Sequence, residues 1–449
     1  MPDKIPSASL VENLRLNAQV LVPNAVQGLF RRKPRAVDVA TKANVDRYAV
    51  GLIDGMRRSY GKGPVWVSAV GQKALLLLSR DDLHRVLGGS PDPFAPDPPA
   101  KRDGMVAFQP DALTLSRGDL WANRRRFAEG VLDTGKAHHR LAAHQAKVAR
   151  EEVEAMLDEI SGGDGSSELG YDDWHRVLRR ATRRIVLGDS ARDDEAISDD
   201  LAAMMDEGNG RPGKPSARYD AFVGGLAAYI DRAEDGSLAA LSAGAPHDDA
   251  TKVPAQLVHW LFAMQDTVAA NSLRALALIA AHPRQRAAVE SEIVAATDAD
   301  PGTGALPYTS ACLQEAMRLF PTTPLLSRQT LADIDWDGET VPAGTQILIS
   351  NLANHRDRSS LDYADRFTPE AWTERGAGKD WTLNHFSHGP QGCPGAGIAV
   401  ALGSNLIGAL LARRVVRLRS PSLDPNRPLP YMLDVFALRL DLGLGGVGA

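Results

Sequence analysis

The longest helical pattern in the chain runs from Val253 to Ala281, and a segment of that length sets the architecture, because its apolar surface must be buried against other helices. Much of the remaining sequence repeats at the same period. Between Lys136 and Ile160 the apolar residues Leu141, Val148, Val153, Met156 and Leu157 recur at helical spacing, and Asp172 to Leu187 does the same through Trp174, Val177, Leu178 and Ile185. Strand signals are few: a hairpin of Val65 to Val70 and Ala74 to Leu78 around Gly71, a short strand from Gln346 to Ser350 after the turn at Pro342 to Gly344, and a late ribbon from Tyr431 to Leu442. The expected fold is mainly α with small peripheral β-sheets. It forms one domain over residues 1–449, with residues 1–45 as an N-terminal extension that carries no transmembrane helix.

Gly88 to Pro110 and Glu207 to Pro215 hold too many prolines and glycines for regular structure, and are expected to be irregular loops of the kind that wall a substrate site. Leu14 to Phe30 is the best N-terminal candidate for a bilayer span, but Arg15, Asn17, Pro23 and Asn24 interrupt it, so no integral membrane span is expected. The basic run Arg31, Arg32, Lys33 and Arg35 reads as a solvated turn. A formal charge of −5 and a pI near 6.1 exclude the basic footprint of a nucleic-acid binder. The two cysteines, Cys312 and Cys393, exclude a disulfide framework and point to a reducing, cytoplasmic setting.

Cys393 lies in Phe386-Ser387-His388-Gly389-Pro390-Gln391-Gly392-Cys393-Pro394-Gly395-Ala396-Gly397, just before the apolar helical run Ile398 to Leu411. Glycines let the backbone approach a bulky group closely, and the nearby helix N-terminus favours a thiolate. Such a thiolate serves as nucleophile, with His385 or His388 as base, or as metal ligand. Gly395 to Val400 half-matches a dinucleotide fingerprint, but Val400 replaces the third glycine and Arg417 and Arg419 stand where an acid belongs. A zinc site from His385, His388 and Cys393 lacks a fourth ligand at compact spacing. A structural turn with an incidental cysteine is the plain alternative.

Phe386 seven residues before the cysteine, Gly389 four before it, and Gly395 two after it resemble the haem-thiolate loop of the cytochrome P450 family, with Ala399 continuing the pattern. The resemblance implies the cytochrome P450 fold, Cys393 as proximal ligand of a haem b (iron protoporphyrin IX), Phe386 as the ring beside the sulfur, and a thiolate whose electron donation favours O–O cleavage. Gly389 and Gly395 shape the cofactor cradle in this reading, and His388 is a further cofactor contact. The family's usual Arg or His at the propionate contact is Gln391 here.

Four more features follow in family order. Glu315 and Arg318 are three apart in the helical run Ser310 to Leu319; alone, such a pair is a surface salt bridge worth under about 1 kcal/mol, but it resembles the family's Glu-x-x-Arg pair, which locks the core behind the haem. The downstream Phe367 to Trp372 matches the associated meander with Ala371 in place of its arginine, leaving Arg366 or Arg375 as substitutes. Within Val253 to Ala281, a threonine such as Thr267 commonly bonds its own i−4 carbonyl, while the family reading makes Asp266 and Thr267 a proton relay, with Ala263 and Met264 beside them at the substrate pocket and Met264 replacing the usual glycine. Trp121 and Arg125, one helical turn apart, and Arg328, in Pro324 to Arg328, resemble the propionate-holding groups, with Leu325 and Leu326 facing substrate. Arg124 and Arg126 are expected partly on the proximal surface, where an acidic electron carrier docks.

The activity implied is that of a soluble, bacterial-type haem-thiolate monooxygenase that inserts one atom of O2 into a mid-sized, largely apolar organic molecule. With 56 residues after Cys393, no fused reductase is expected, and electrons would come from NAD(P)H through a separate ferredoxin and its reductase. Two rivals are peroxide-driven or oxidative-coupling chemistry on the same scaffold, where Arg-Pro would be expected in place of Asp266 and Thr267, and a non-catalytic haem or ligand-binding module.

Overall fold

Val253–Ala281 forms one uninterrupted helix, and the rest of the chain is arranged around it. The computed structural model describes residues 4–61, 63–161, 167–210, 212–299 and 305–447. In chain order, the helices that build the site are α1 (Val45–Tyr60), α2 (Gly118–Val131), α3 (Ala142–Ile160), α4 (Tyr171–Leu187), α5 (Val253–Ala281), α6 (Pro307–Leu319) and α7 (Ala396–Arg413). Helix α5 packs against α4, α6 and α7, and α7 packs against α3. Leu257, Leu261, Leu273 and Leu276 of α5 share one apolar core with Leu178 and Ile185 of α4, Leu313 of α6, and Leu402 and Leu406 of α7. A polar bond sets the register of the first pair: the Trp174 indole of α4 donates to Ser272 Oγ of α5 at 2.8 Å. Among the described residues, α7 is the one helix long and apolar enough to cross a membrane, and 56% of it is buried within the body.

The strands are peripheral, as the sparse β signals imply. The largest sheet has five strands, β1 (Val65–Ala69), β2 (Gln72–Leu76), β3 (Phe94–Ala95), β5 (Leu325–Thr330) and β8 (Gln346–Ser350), in the order β1-β2-β8-β5-β3. Leu325 pairs with Ser350 and Arg328 with Ile347 in the antiparallel β5–β8 ladder, which fixes Arg328 toward the interior. A second sheet joins β4 (Ser167–Leu169), β10 (Arg439–Leu444) and β9 (Arg414–Ser420), and β6 (Ile334–Trp336) pairs with β7 (Glu339–Val341).

The N-terminal extension lies against the body: the Trp66 N–H donates to the Pro6 carbonyl at 2.9 Å, and Leu16 and Val20 join a core cluster with Ile53 of α1 and Leu348 of β8. Several expectations need correction. The segment from Gly88 to Pro110 contains β3 and a helix, Pro99–Met105, because a proline at the first helical position fits where an N–H has no partner. The helix Glu195–Gly210 runs through part of the second breaker-rich segment. Its Gly208 passes so close to the shorter helix that an added Cβ would stand 2.5 Å from the Gly104 carbonyl oxygen, so the glycine is a packing requirement, not a break. The late ribbon is shorter than expected: only Arg439–Leu444 is strand, and Val435–Ala437 is a tight turn capped by Asp434, whose carboxylate accepts the Phe436 N–H at 2.9 Å.

Candidate active site

The loop before α7 is closed by its own backbone: the Cys393 N–H donates to the Phe386 carbonyl at 2.8 Å. Gly389 has φ +69°, and a Cβ there would lie 2.4 Å from the Leu87 carbonyl oxygen, so no other residue fits without displacing the chain. At Gly395 a Cβ would meet only Ile398 and Leu132, at 3.6 and 3.7 Å; protein packing alone does not demand a glycine there. The Phe386 ring lies tilted against His385, and His388 stacks on Trp381 with ring centroids 5.4 Å apart. Both ring nitrogens of His385 are buried without a hydrogen-bond partner, and among the described residues no cluster of three metal-binding side chains exists, so the zinc alternative does not assemble.

Cys393 is accessible by area yet sits at the depth of a fully enclosed group, so it borders an internal void rather than the outer surface. Burial pushes its thiol pKa up, opposed by a hydrogen bond from the Gly395 backbone and by the charge of Arg125. Desolvation thus opposes the anion that the Gly395 N–H and Arg125 favour. A cation bonded to the sulfur would reverse the balance.

On the cysteine loop and the segments tied to it the donor set is rich and acid-poor. The buried Trp121 indole N–H of α2 has no partner, and Gln391 Nε2 is a second orphan donor. Arg125 ties α2 to the cysteine loop by donating to the Gly392 carbonyl at 2.6 Å, and it also pairs with Glu129 at 2.7 Å. Arg328 is buried and donates to Ser90 Oγ, Ser387 Oγ and the Ser327 carbonyl, with no carboxylate in contact among the described residues; burial lowers its pKa to about 10. Lys101 donates to Thr114 Oγ1 at 2.6 Å and to the Pro96 carbonyl, and burial, with Arg328 nearby, lowers its pKa to about 7. Buried cations and orphan N–H groups without acids to match are costly unless an anion completes them. The donor set fits a group with two carboxylates, as haem has. Lys101 was not singled out in the sequence; its only signal is being a lone lysine in a proline-rich segment. Arg124, expected partly on the surface, is instead buried, donating to Ser116 Oγ at 2.8 Å, and only Arg126 of that basic run is exposed.

Behind the loop, Glu315 and Arg318 of α6 are wholly buried, with two contacts of 2.7 and 2.8 Å. Arg318 also donates to the carbonyls of His355, Tyr363, Ala364 and Arg366. Glu315 accepts the Thr368 N–H at 3.0 Å and the Trp372 indole N–H at 2.9 Å. Trp372 thus takes the place expected for Arg366 or Arg375, and Arg375 pairs instead with exposed Asp362.

On α5 the Thr267 hydroxyl donates to the Ala263 carbonyl, as an isolated buried threonine would. Asp266 is held by His175 of α4, with Oδ1 2.6 Å from Nε2. His175 escaped the sequence reading because its partner lies 91 residues away. Asp266 and Thr267 line a cavity of about 950 Å³, together with Phe262, Ala270 and Leu433 to Phe436. A second, smaller cavity of about 310 Å³ shares His175 and Asp266 and is lined by Arg176, Arg179 and Asp199. Met264 does not line the larger cavity: it is 4% exposed and belongs to the apolar core, because it lies off the helix face formed by residues 262, 266, 270 and 274. Ala263 is partly buried beside it. Leu325 and Leu326 also lie outside the lining, packed against two separate core clusters on opposite faces of β5, and the preceding Thr323 and Pro324 take the cavity wall.

Residues 243–417 match the family model for cytochrome P450. Among curated proteins, the chain is 28% identical over 347 residues to cyclooctat-9-en-7-ol 5-monooxygenase of Streptomyces melanosporofaciens, covering 68% of this chain and 72% of the relative. It is 25% identical over 396 residues to cytochrome P450 81F4 of Arabidopsis thaliana, covering 78% of each. It is 29% identical over 174 residues to drimenol monooxygenase of Persicaria hydropiper, a match that spans 36% of this chain and 34% of that relative. With a mainly helical body, a cysteine loop opening on an internal void, and a buried Glu-x-x-Arg pair behind it, the chain belongs to the cytochrome P450 family and is a monooxygenase, an oxidoreductase.

Proposed function

We propose that the protein binds haem b through Cys393 Sγ and oxidises a mid-sized, largely apolar organic molecule with O2, in the cytoplasm, using electrons from NAD(P)H delivered by a separate ferredoxin and its reductase. The observation that carries this reading is the pairing of an accessible, deeply set Cys393 with buried donors that have no acid to meet them. When bound, haem would supply redox chemistry of O2 at its iron. Trp121, Arg125 and Arg328 would hold its carboxylates, with Lys101 and Gln391 as further donors. Phe386, His388, Gly389 and Gly395 would shape its cradle.

Asp266 and Thr267 are the groups to manage protons. Asp266 Oδ1 and His175 Nε2 are joined by one hydrogen bond, and the small polar cavity at that pair has room for water. Thr267 Oγ carries a hydroxyl one residue along the same cavity wall, and its bond to Ala263 fixes its direction. Acid and hydroxyl together favour O2 chemistry over a peroxide-driven reaction.

Turnover of the purified holoenzyme with isotopically labelled O2, a ferredoxin, its reductase and NADPH tests this. A product carrying one labelled oxygen atom is expected, with little product from hydrogen peroxide alone. Equal rates from peroxide without redox partners, or a product with no labelled oxygen, would overturn the proposal.

A further inference from the structure

The larger cavity is lined by Arg31, Arg32, Lys33, Arg35 and Arg274; Arg31, Lys33 and Arg35 are exposed, which leaves Arg32 and Arg274 as the more deeply set cations that the mechanism above does not use. Arg32, from the segment before α1, and Arg274 of α5 both line it. Arg274 donates to the Leu433 carbonyl at 3.0 Å and to the Phe320 carbonyl at 3.2 Å; Arg32 donates to the Thr322 carbonyl at 3.2 Å. Neither has a carboxylate within ion-pair distance among the described residues. Burial lowers both pKa values, Arg274 to about 10, with Arg32 as a like charge beside it.

The acids of the same cavity are mostly engaged elsewhere. Asp206 pairs with Arg31 at 2.6 Å, Asp266 with His175, and Asp434 caps its own turn. Asp172 lies exposed in the first turn of α4. Asp46 alone stands near both guanidiniums, beyond contact distance, and burial raises its pKa to about 6. Arg32 and Arg274 thus have Asp46 in common, and Arg274 also has Asp434 nearby, but among the described residues no carboxylate is in contact with either; Phe262, Ala270, Phe320 and Leu433 supply apolar surface on the same wall.

We infer that this cavity binds a substrate with an apolar body and a carboxylate, the carboxylate held by Arg274 and Arg32. Arg274 lies seven positions along the helix from Thr267, so the carboxylate end is anchored about 10 Å along the cavity from the Thr267 end. A chain of eight to ten carbons spans about that length in its extended form. The inference takes this cavity, whose wall carries Asp266 and Thr267, as the substrate site of the monooxygenase proposed above, and adds the chemical class of what enters it. An apolar body contributes affinity by burial, while the charge pair fixes which end leads.

Calorimetric titration of the holoenzyme with decanoate and with 1-decanol separates the two contributions. Decanoate is expected to bind at least about tenfold more tightly, and Arg32→Gln and Arg274→Gln are each expected to erase most of that difference while leaving 1-decanol affinity within about twofold. Should Arg274→Gln fold poorly through loss of its carbonyl contacts, Arg32→Gln still decides. Asp46→Asn removes the competing carboxyl and is expected to tighten decanoate severalfold, which a merely structural role for the cluster would not produce. Equal affinities for the two ligands, or no saturable heat with decanoate up to about 1 mM, would overturn the inference. The reduced carbon monoxide spectrum of the same samples keeps the two readings apart: an intact thiolate band with charge-blind binding removes only the carboxylate, whereas a missing band removes the haem assignment whatever decanoate does.

Discussion

Glu315→Ala is expected to lower the free energy of unfolding by about 3–5 kcal/mol, because it leaves the Arg318 guanidinium charged, wholly buried and without its carboxylate. Against a total stability of about 5–15 kcal/mol that loss approaches the whole margin, so most of the variant should be insoluble or fail to retain cofactor. The four carbonyls around Arg318 would still accept its N–H groups, but they neutralise no charge. Trp372→Phe gives a graded control. It removes one hydrogen bond to a charged acceptor and should cost about 1.5–3 kcal/mol, read from the urea midpoint of the folded protein. A Glu315→Ala protein within about 1 kcal/mol of the parent would mean that the pair does not hold this part of the core.

Asp266→Asn is expected to cut turnover by about 100-fold with little change in stability, since the amide keeps the size of the carboxylate and can still bond His175 but cannot exchange a proton. The reduced carbon monoxide spectrum and substrate affinity should stay near those of the parent, so the effect falls on kcat and not on KM. Thr267→Ala, which removes the hydroxyl on the same wall, should lower turnover in the same direction. A rate within twofold of the parent for Asp266→Asn, measured with saturating redox partners, would take the proton role away from this residue.

The helices were legible because burial imposes a period that survives in the sequence: Val253 to Ala281 and the span behind Glu315 need no partner to be recognised. The loop around Cys393 was legible because its glycines and phenylalanine stand at fixed spacing, and Gly389 indeed takes φ +69° against the Leu87 carbonyl. What escaped depends on contacts that no local pattern encodes. His175 meets Asp266 across two helices, Lys101 reaches its place from a proline-rich stretch, and Trp372 supplies from an indole what a guanidinium was expected to give. Residues 431 to 438 are apolar enough to read as a strand, yet they are pinned as a loop by Arg274 on the Leu433 carbonyl and Arg356 on the carbonyls of Leu429 and Pro430. Met264 illustrates the same limit, since a helix position facing a cavity and one facing the core differ by a single residue of rotation.

Absorbance spectroscopy of the purified, haem-bearing protein, reduced and saturated with carbon monoxide, tests the assignment of Cys393 most directly. The parent protein should give the red-shifted band of a thiolate-ligated haem, and Cys393→Ser should lose it. A folded, haem-containing parent without the band, or a Cys393→Ser protein that keeps it, would contradict ligation by this sulfur.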